Sequence, residues 1–168
     1  MSGTAAAAEL TRARLLAAEG ELSAALRLLD ELLSAEPQDL PAMLLKGSVL
    51  LQLRQEQPAL ACYEGAAVLA PASAEARNGL ARCLHAMARD DEALAAALQA
   101  KELLRRPENY AQAAPVFLTL VWVHRAQRRF QEALDCAQEG LARCPDAVLA
   151  QWASVVEEEL EEAQQERC

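Results

Sequence analysis

The chain has 168 residues, enough for one domain that buries roughly 70% of its unfolded surface. Hydrophobic residues make up 53% of it, mostly Ala and Leu, while aromatics are only 4% and Gly numbers six, a balance of helix formers that predicts an all-helical fold. The net charge of −9 repels phosphate backbones, and the arginines are spread among acids rather than interleaved with aromatics, so nucleic acid is excluded as a partner.

The N-terminal stretch MSGTAAAAEL has neither a basic start nor a Leu-rich core, and Glu9 and Arg12 interrupt it, so it does not read as a signal peptide. A first helix pair is expected over about residues 6–39, with Ala13 twelve residues before the pair Ala25-Leu26 and Pro37 twelve after Ala25. The second, about 40–73, repeats the pattern with Gly47, Ala59-Leu60 and Pro71, and the third, about 74–107, with Ala81 and Ala93-Leu94. Ala25, Ala59 and Ala93 are each 34 residues apart, a period that marks a repeat protein. Small side chains let two helices approach where they cross, and proline ends the second helix because its ring excludes the preceding turn's carbonyl.

From Ala93 to Ala133 the distance is 40 residues, six more than the repeat, and the excess lies around Arg105-Arg106-Pro107-Glu108-Asn109-Tyr110. Such insertions map to loops or lengthened helices. The fourth pair, about 114–147, follows with Val121, Ala133-Leu134 and Pro145. Its first helix is apolar nearly all round, with Phe117, Leu120 and Val121 assigned to the core and Leu118 and Trp122 divided between burial and ligand contact. After Pro145, Leu149, Trp152, Val156, Leu160 and Ala163 recur at three- and four-residue steps among many glutamates. Residues 146–168 are therefore expected to form a C-terminal capping helix with an acidic face.

The stretches GELSAALRLLDELLSAEP (20–37), LLKGSVLLQLRQEQPALACYEGAAVLAP (44–71), NGLARCLHAMARDDEALAAALQAKELL (78–104) and RRFQEALDCAQEGLARCP (128–145) resemble the tetratricopeptide repeat, TPR. The family's first-helix aromatic is replaced by Glu9, Met43, Arg77 and Phe117, and its second-helix aromatic survives as Tyr63 against Leu29, Ala97 and Ala137. The resemblance implies a right-handed superhelix of about four helix-turn-helix repeats filling residues 1–145. It also implies a concave groove lined by one stripe from each first helix. Carried over through the aligned small residues, the stripes are Leu10, Arg14 and Ala17; Leu44, Ser48 and Leu51; Asn78, Arg82 and His85; and Leu118, Trp122 and Arg125. Family members that clamp the C-terminal carboxylate of heat-shock chaperones use Lys and Asn near the start of this face, where Leu10 and Leu44 stand here, so that ligand class is disfavoured.

The function implied is a noncatalytic adaptor or scaffold that binds a segment of another protein in the groove, with Trp122 and Leu118 as anchors and Arg82, Arg125 and Asn78 fixing orientation. The alternatives are a TPR chaperone of a bacterial secretion system and a self-assembling scaffold, that is, a homo-oligomer. Five cysteines without a CxxC pair favour a reducing, cytoplasmic location. Cys62 and Cys136 hold equivalent places as small packing residues. Cys83 and His85, two apart on a helix, point to different sides and cannot chelate together, so no metal is expected. Neither histidine, His85 or His124, stands at a catalytic spacing, and there is no Gly-rich phosphate loop, so no cofactor or enzymatic activity is expected. The longest uncharged run, Asn109 to His124, contains Pro115 and falls short of the roughly 20 residues a membrane span needs.

Overall fold

A computed structural model describes residues 3–166. Among them nine α-helices form two compact units that divide after Ala72. The first unit holds α1 (Gly3–Ala18), α2 (Leu22–Ala35), α3 (Leu40–Gln52) and α4 (Glu56–Leu69). The second holds α5 (Ala74–Ala86), α6 (Asp90–Leu103), a 3₁₀ segment (Pro107–Gln112), α7 (Ala113–Ala126), α8 (Phe130–Arg143) and α9 (Ala147–Gln165).

The small residues at the expected crossings are all buried. Ala13, Ala25, Ala59, Ala81, Ala93, Val121 and Ala133 have no exposed surface, and Gly47 is buried with them. A Cβ on Gly47 would stand 2.7 Å from Cε2 of Tyr63, so the ring of α4 occupies the space that a larger residue on α3 would need. In the first unit Ala13, Ala25, Leu29, Leu32, Ala42 and Val49 form one apolar core. In the second, Phe117, Leu120, Val121, Ala133, Ala137, Leu149 and Val156 form another. Leu149 and Val156 belong to α9, whose apolar stripe therefore covers the end of the fourth pair as the sequence predicts.

Each tight turn inside a pair is closed in the same way. Gly20, Arg54, Ala88 and Arg128 take positive φ angles of 84°, 58°, 57° and 57°. The next residue's N–H reaches back to the carbonyl five positions earlier: Glu21 to Leu16, Gln55 to Leu50, Arg89 to Leu84 and Arg129 to His124, each at 2.9 Å. This satisfies carbonyls that the helix end would otherwise leave open. Between pairs, a side-chain oxygen caps the incoming helix: Asp39 accepts from the Ala42 N–H at 3.0 Å, Ser73 from Ala76 at 3.2 Å and Asp146 from Leu149 at 2.8 Å.

The expected insertion is the 3₁₀ segment and its flanks. It is anchored by Asn109, 6% exposed, whose Oδ1 accepts the Ala74 N–H at 3.1 Å and whose Nδ2 donates to the Leu103 carbonyl at 3.1 Å. Among the described residues, no helix is long and apolar enough to cross a membrane, and no group of three or more His, Cys, Asp or Glu is placed to hold a metal ion.

Candidate functional site

In the second unit α7 packs against both α5 and α9. A cavity of about 640 Å³ opens along these helices, lined by His85 of α5, Trp122 and Arg125 of α7, and Trp152, Glu159 and Glu162 of α9, with Arg128, Phe130 and Glu166 at its margin. Helical spacing selects these side chains. Trp122 and Arg125 are three residues apart, and Trp152 and Glu159 seven apart, so each pair lies on one face of its helix.

The indoles of Trp122 and Trp152 meet edge to face, with ring centres 6.3 Å apart and an interplanar angle of 75°. That geometry sets the positive edge of one ring against the negative face of the other. The Arg125 guanidinium lies 5.3 Å from the Trp152 ring centre, within reach of a cation–π attraction. Its Nε also donates to Glu159, at 2.9 Å to Oε1 and 2.7 Å to Oε2, and its Nη2 donates to the same carboxylate. The hydrogen bonds to Glu159 raise the Arg125 pKa above its ordinary value, against a smaller opposing effect of burial. His85 is held to Asp90 through Nδ1, 2.6 Å from Oδ1. By contrast, Trp122 Nε1 is buried without a hydrogen-bond partner.

The charged lining brings Arg125 and Arg128 against Glu159, Glu162 and Glu166. Glu159 is taken by Arg125, and among the described residues no cation forms an ion pair with Glu162 or Glu166. The helix continues this acidity outward, where Glu157, Glu158 and Glu161 are exposed. Such a surface offers aromatic faces, guanidiniums and carboxylates. Elsewhere, burial raises the thiol pKa of Cys62, Cys136 and Cys144, which keeps these sulfurs in the unreactive protonated form.

Three of the expected groove residues, His85, Trp122 and Arg125, line this cavity together. Arg82 and Leu118 are half-buried on α5 and α7 but do not line it, and Leu118 packs against the core. Asn78 is only 4% exposed, because α5 is covered by α6, α7 and the 3₁₀ segment, and its Oδ1 has no partner. In the first unit Arg14 is exposed on α1, and Ser48 and Leu51 are half-buried on α3. Leu44 is buried, since α3 is packed by α1 and α2 as well as α4. Leu44 and Asn78 thus offer a ligand little surface, contrary to the sequence expectation.

The residues that the sequence reading missed are on α9. Trp152 was assigned to the covering stripe and Glu159 to the outer face, yet both line the cavity. A signal was present: Trp152 stands 34 residues after Leu118, and Glu159 stands 34 after Arg125. The last helix is in register as a further first helix and carries its own groove stripe.

No protein-family model and no curated protein matches the sequence. Solved structures do match. A crystal structure of the MamA protein is similar over 95% of this chain and 84% of its own, with a TM-score of 0.69 and 18% identity. PilF of Pseudomonas aeruginosa is similar over 95% and 70%, with a TM-score of 0.79 and 19% identity. A tetratricopeptide repeat protein from Parabacteroides merdae is similar over 98% and 62%, with a TM-score of 0.74 and 13% identity.

Proposed function

We propose that this chain, which has the tetratricopeptide-repeat fold, is a noncatalytic scaffold whose second unit takes a segment of a partner protein into the cavity between Trp122 and α9. The observation that carries this reading is the meeting of two half-buried tryptophans in an open cavity. Tryptophan carries a large apolar area on few rotatable bonds, and a partner that covers the rings gains from it. Arg125, fixed by Glu159, sets one edge of the site and needs little further ordering when a ligand arrives. The cavity volume falls within the roughly 300–1,000 Å³ of pre-formed ligand sites.

Affinity capture from native lysate, read by mass spectrometry, tests the proposal. Proteins retained by the wild type should be lost or reduced with Trp122→Ala, by about 2 kcal/mol of affinity or more. Circular dichroism melting checks that the variant folds. Undiminished capture by a folded Trp122→Ala variant would move the site away from this cavity.

A further inference from the structure

The geometry points to a second binding site in the second unit, walled in part by the residues that break the repeat period, that accepts a small aromatic carboxylate. Leu104 and Arg105 just past α6, Tyr110 of the 3₁₀ segment, Ala113 of α7, and Arg143 and Cys144 at the end of α8 line a pocket of about 380 Å³. None of them lines the cavity of Trp122 and Trp152. The volume lies in the lower part of the roughly 300–1,000 Å³ typical of ligand sites, which suits a compact ring better than an extended peptide.

The lining combines apolar surface with one sign of charge. Leu104 and Ala113 are buried, and the exposed Tyr110 supplies a ring that an aromatic ligand can meet edge to face. The charged side chains of the lining, Arg105 and Arg143, are both guanidiniums, while the nearby carboxylates of Glu102, Glu139 and Asp146 stay outside it. Arg105 meets Glu102 through Nη1 at 2.7 Å, and Arg143 donates to Glu139 through Nη2 at 3.1 Å. A guanidinium has five donors, so each retains others for an anion. Glu139 also accepts from Lys101, and Asp146 from the Leu149 N–H, so neither is fully devoted to an arginine of the pocket.

The arginines are not required to close the helix ends beside them. The Lys101, Glu102 and Leu103 carbonyls accept the N–H groups of Leu104, Arg105 and Arg106, and the Gly140 carbonyl accepts that of Cys144. The site is also preformed: Asn109 anchors the segment that carries Tyr110, and the Arg143 guanidinium lies 5.7 Å from the Phe117 ring centre. Less ordering is then needed when a ligand enters. A carboxylate on a ring uses both the donors and the apolar surface, whereas a cation on the same ring meets two like charges.

Cys144 gives the pocket a local reporter, and half-buried Cys62, in the other unit, gives a control. The full chain is alkylated with N-ethylmaleimide at mildly alkaline pH, because burial raises both thiol pKa values, and each cysteine is followed by peptide mass spectrometry. Naphthalene-2-carboxylate, 2-naphthamide and 2-naphthylmethylammonium present one ring with three charges. The carboxylate should slow alkylation of Cys144 but not of Cys62, with weaker protection by the amide and none by the ammonium. Arg105→Gln, whose side chain is exposed, should raise the carboxylate concentration needed by about tenfold while melting as the wild type does, the loss of one charged hydrogen bond. Equal protection by all three compounds would overturn the anion preference, and absence of protection would overturn the site. An unchanged requirement in Arg105→Gln would overturn the role of the guanidinium. Each of these results leaves the scaffold reading of the tryptophan cavity untouched.

Discussion

Arg125 of α7 forks onto Glu159 of α9, its Nε lying 2.9 Å from one carboxylate oxygen and 2.7 Å from the other. The pair joins the fourth repeat to the last helix beside the two tryptophans. Both side chains keep partial exposure, 39% and 25%, so the coupling in a double-mutant cycle should be about 1 kcal/mol and should shrink as salt is added. Arg125→Lys should recover only part of it, because an ammonium cannot reproduce the planar fork. Chemical denaturation of Arg125→Met, Glu159→Gln and the double variant measures the coupling, and a value of zero at low salt would show that the pair does not hold α9.

Gly140 lies where α7, α8 and α9 converge. A Cβ there would come 2.5 Å from Leu149 Cδ2 and 2.8 Å from both Cβ and Cγ of Phe117. The leucine tip can turn aside, but Phe117 is wholly buried and its Cβ is fixed to the α7 backbone. Gly140→Ala should therefore lower stability by about 1 to 3 kcal/mol despite the better helix propensity of alanine. A melting temperature equal to the wild type would mean that the three helices can separate without penalty.

Ala88 makes the opposite case. It is exposed, with φ of 57°, a conformation in which Cβ crowds the following carbonyl. Ala88→Gly should raise stability by about 0.5 to 1 kcal/mol, the relief of strain exceeding the added freedom of the unfolded chain. Thermal melts of Ala88→Gly beside Ala86→Gly, two residues earlier at the end of α5, separate the two effects, since the second should be destabilising.

His124 gives the second unit a pH dependence. Burial depresses its pKa, with Arg129 and Lys101 acting in the same direction and Glu132 against them. The unfolded chain then binds more protons than the folded one below the ordinary histidine pKa of about 6.5. The contribution to stability is whole above that value, declines as pH falls through it, and is lost fully once pH passes below the depressed folded value. Denaturation of wild type and His124→Leu at neutral and mildly acidic pH should show a steeper loss on acidification in the wild type. Parallel curves would place the titrating group elsewhere.

The repeat fold was legible because small residues recur at one period and their burial is a local consequence of that recurrence. Ala25, Ala59 and Ala93 needed no tertiary information to be placed at crossings, where all are fully buried. Groove residues were less legible. A helical stripe tells which face of its own helix a side chain occupies, but not what stands opposite. Asn78 lies on the expected stripe and is nevertheless covered, because the insertion and α7 pack over α5. Glu159 looked like one of several solvent-facing glutamates, and its role depends on Arg125, 34 residues earlier on another helix. Asn109 is a third instance, since nothing in the local sequence of the insertion announces that its amide reaches the start of α5.

That amide also limits how the third repeat can be used as a building block. Its oxygen serves the first N–H of α5 and its nitrogen serves the Leu103 carbonyl at the end of α6, so one side chain closes both ends of the same pair. The residues that interrupt the 34-residue period are thus a clasp belonging to the pair before them, not a spacer in front of the pair after. A cassette cut at the nominal repeat boundary and duplicated or transplanted would leave its clasp behind, whereas one extending from Ser73 through Asn109 would carry both its own helix cap and its own closure.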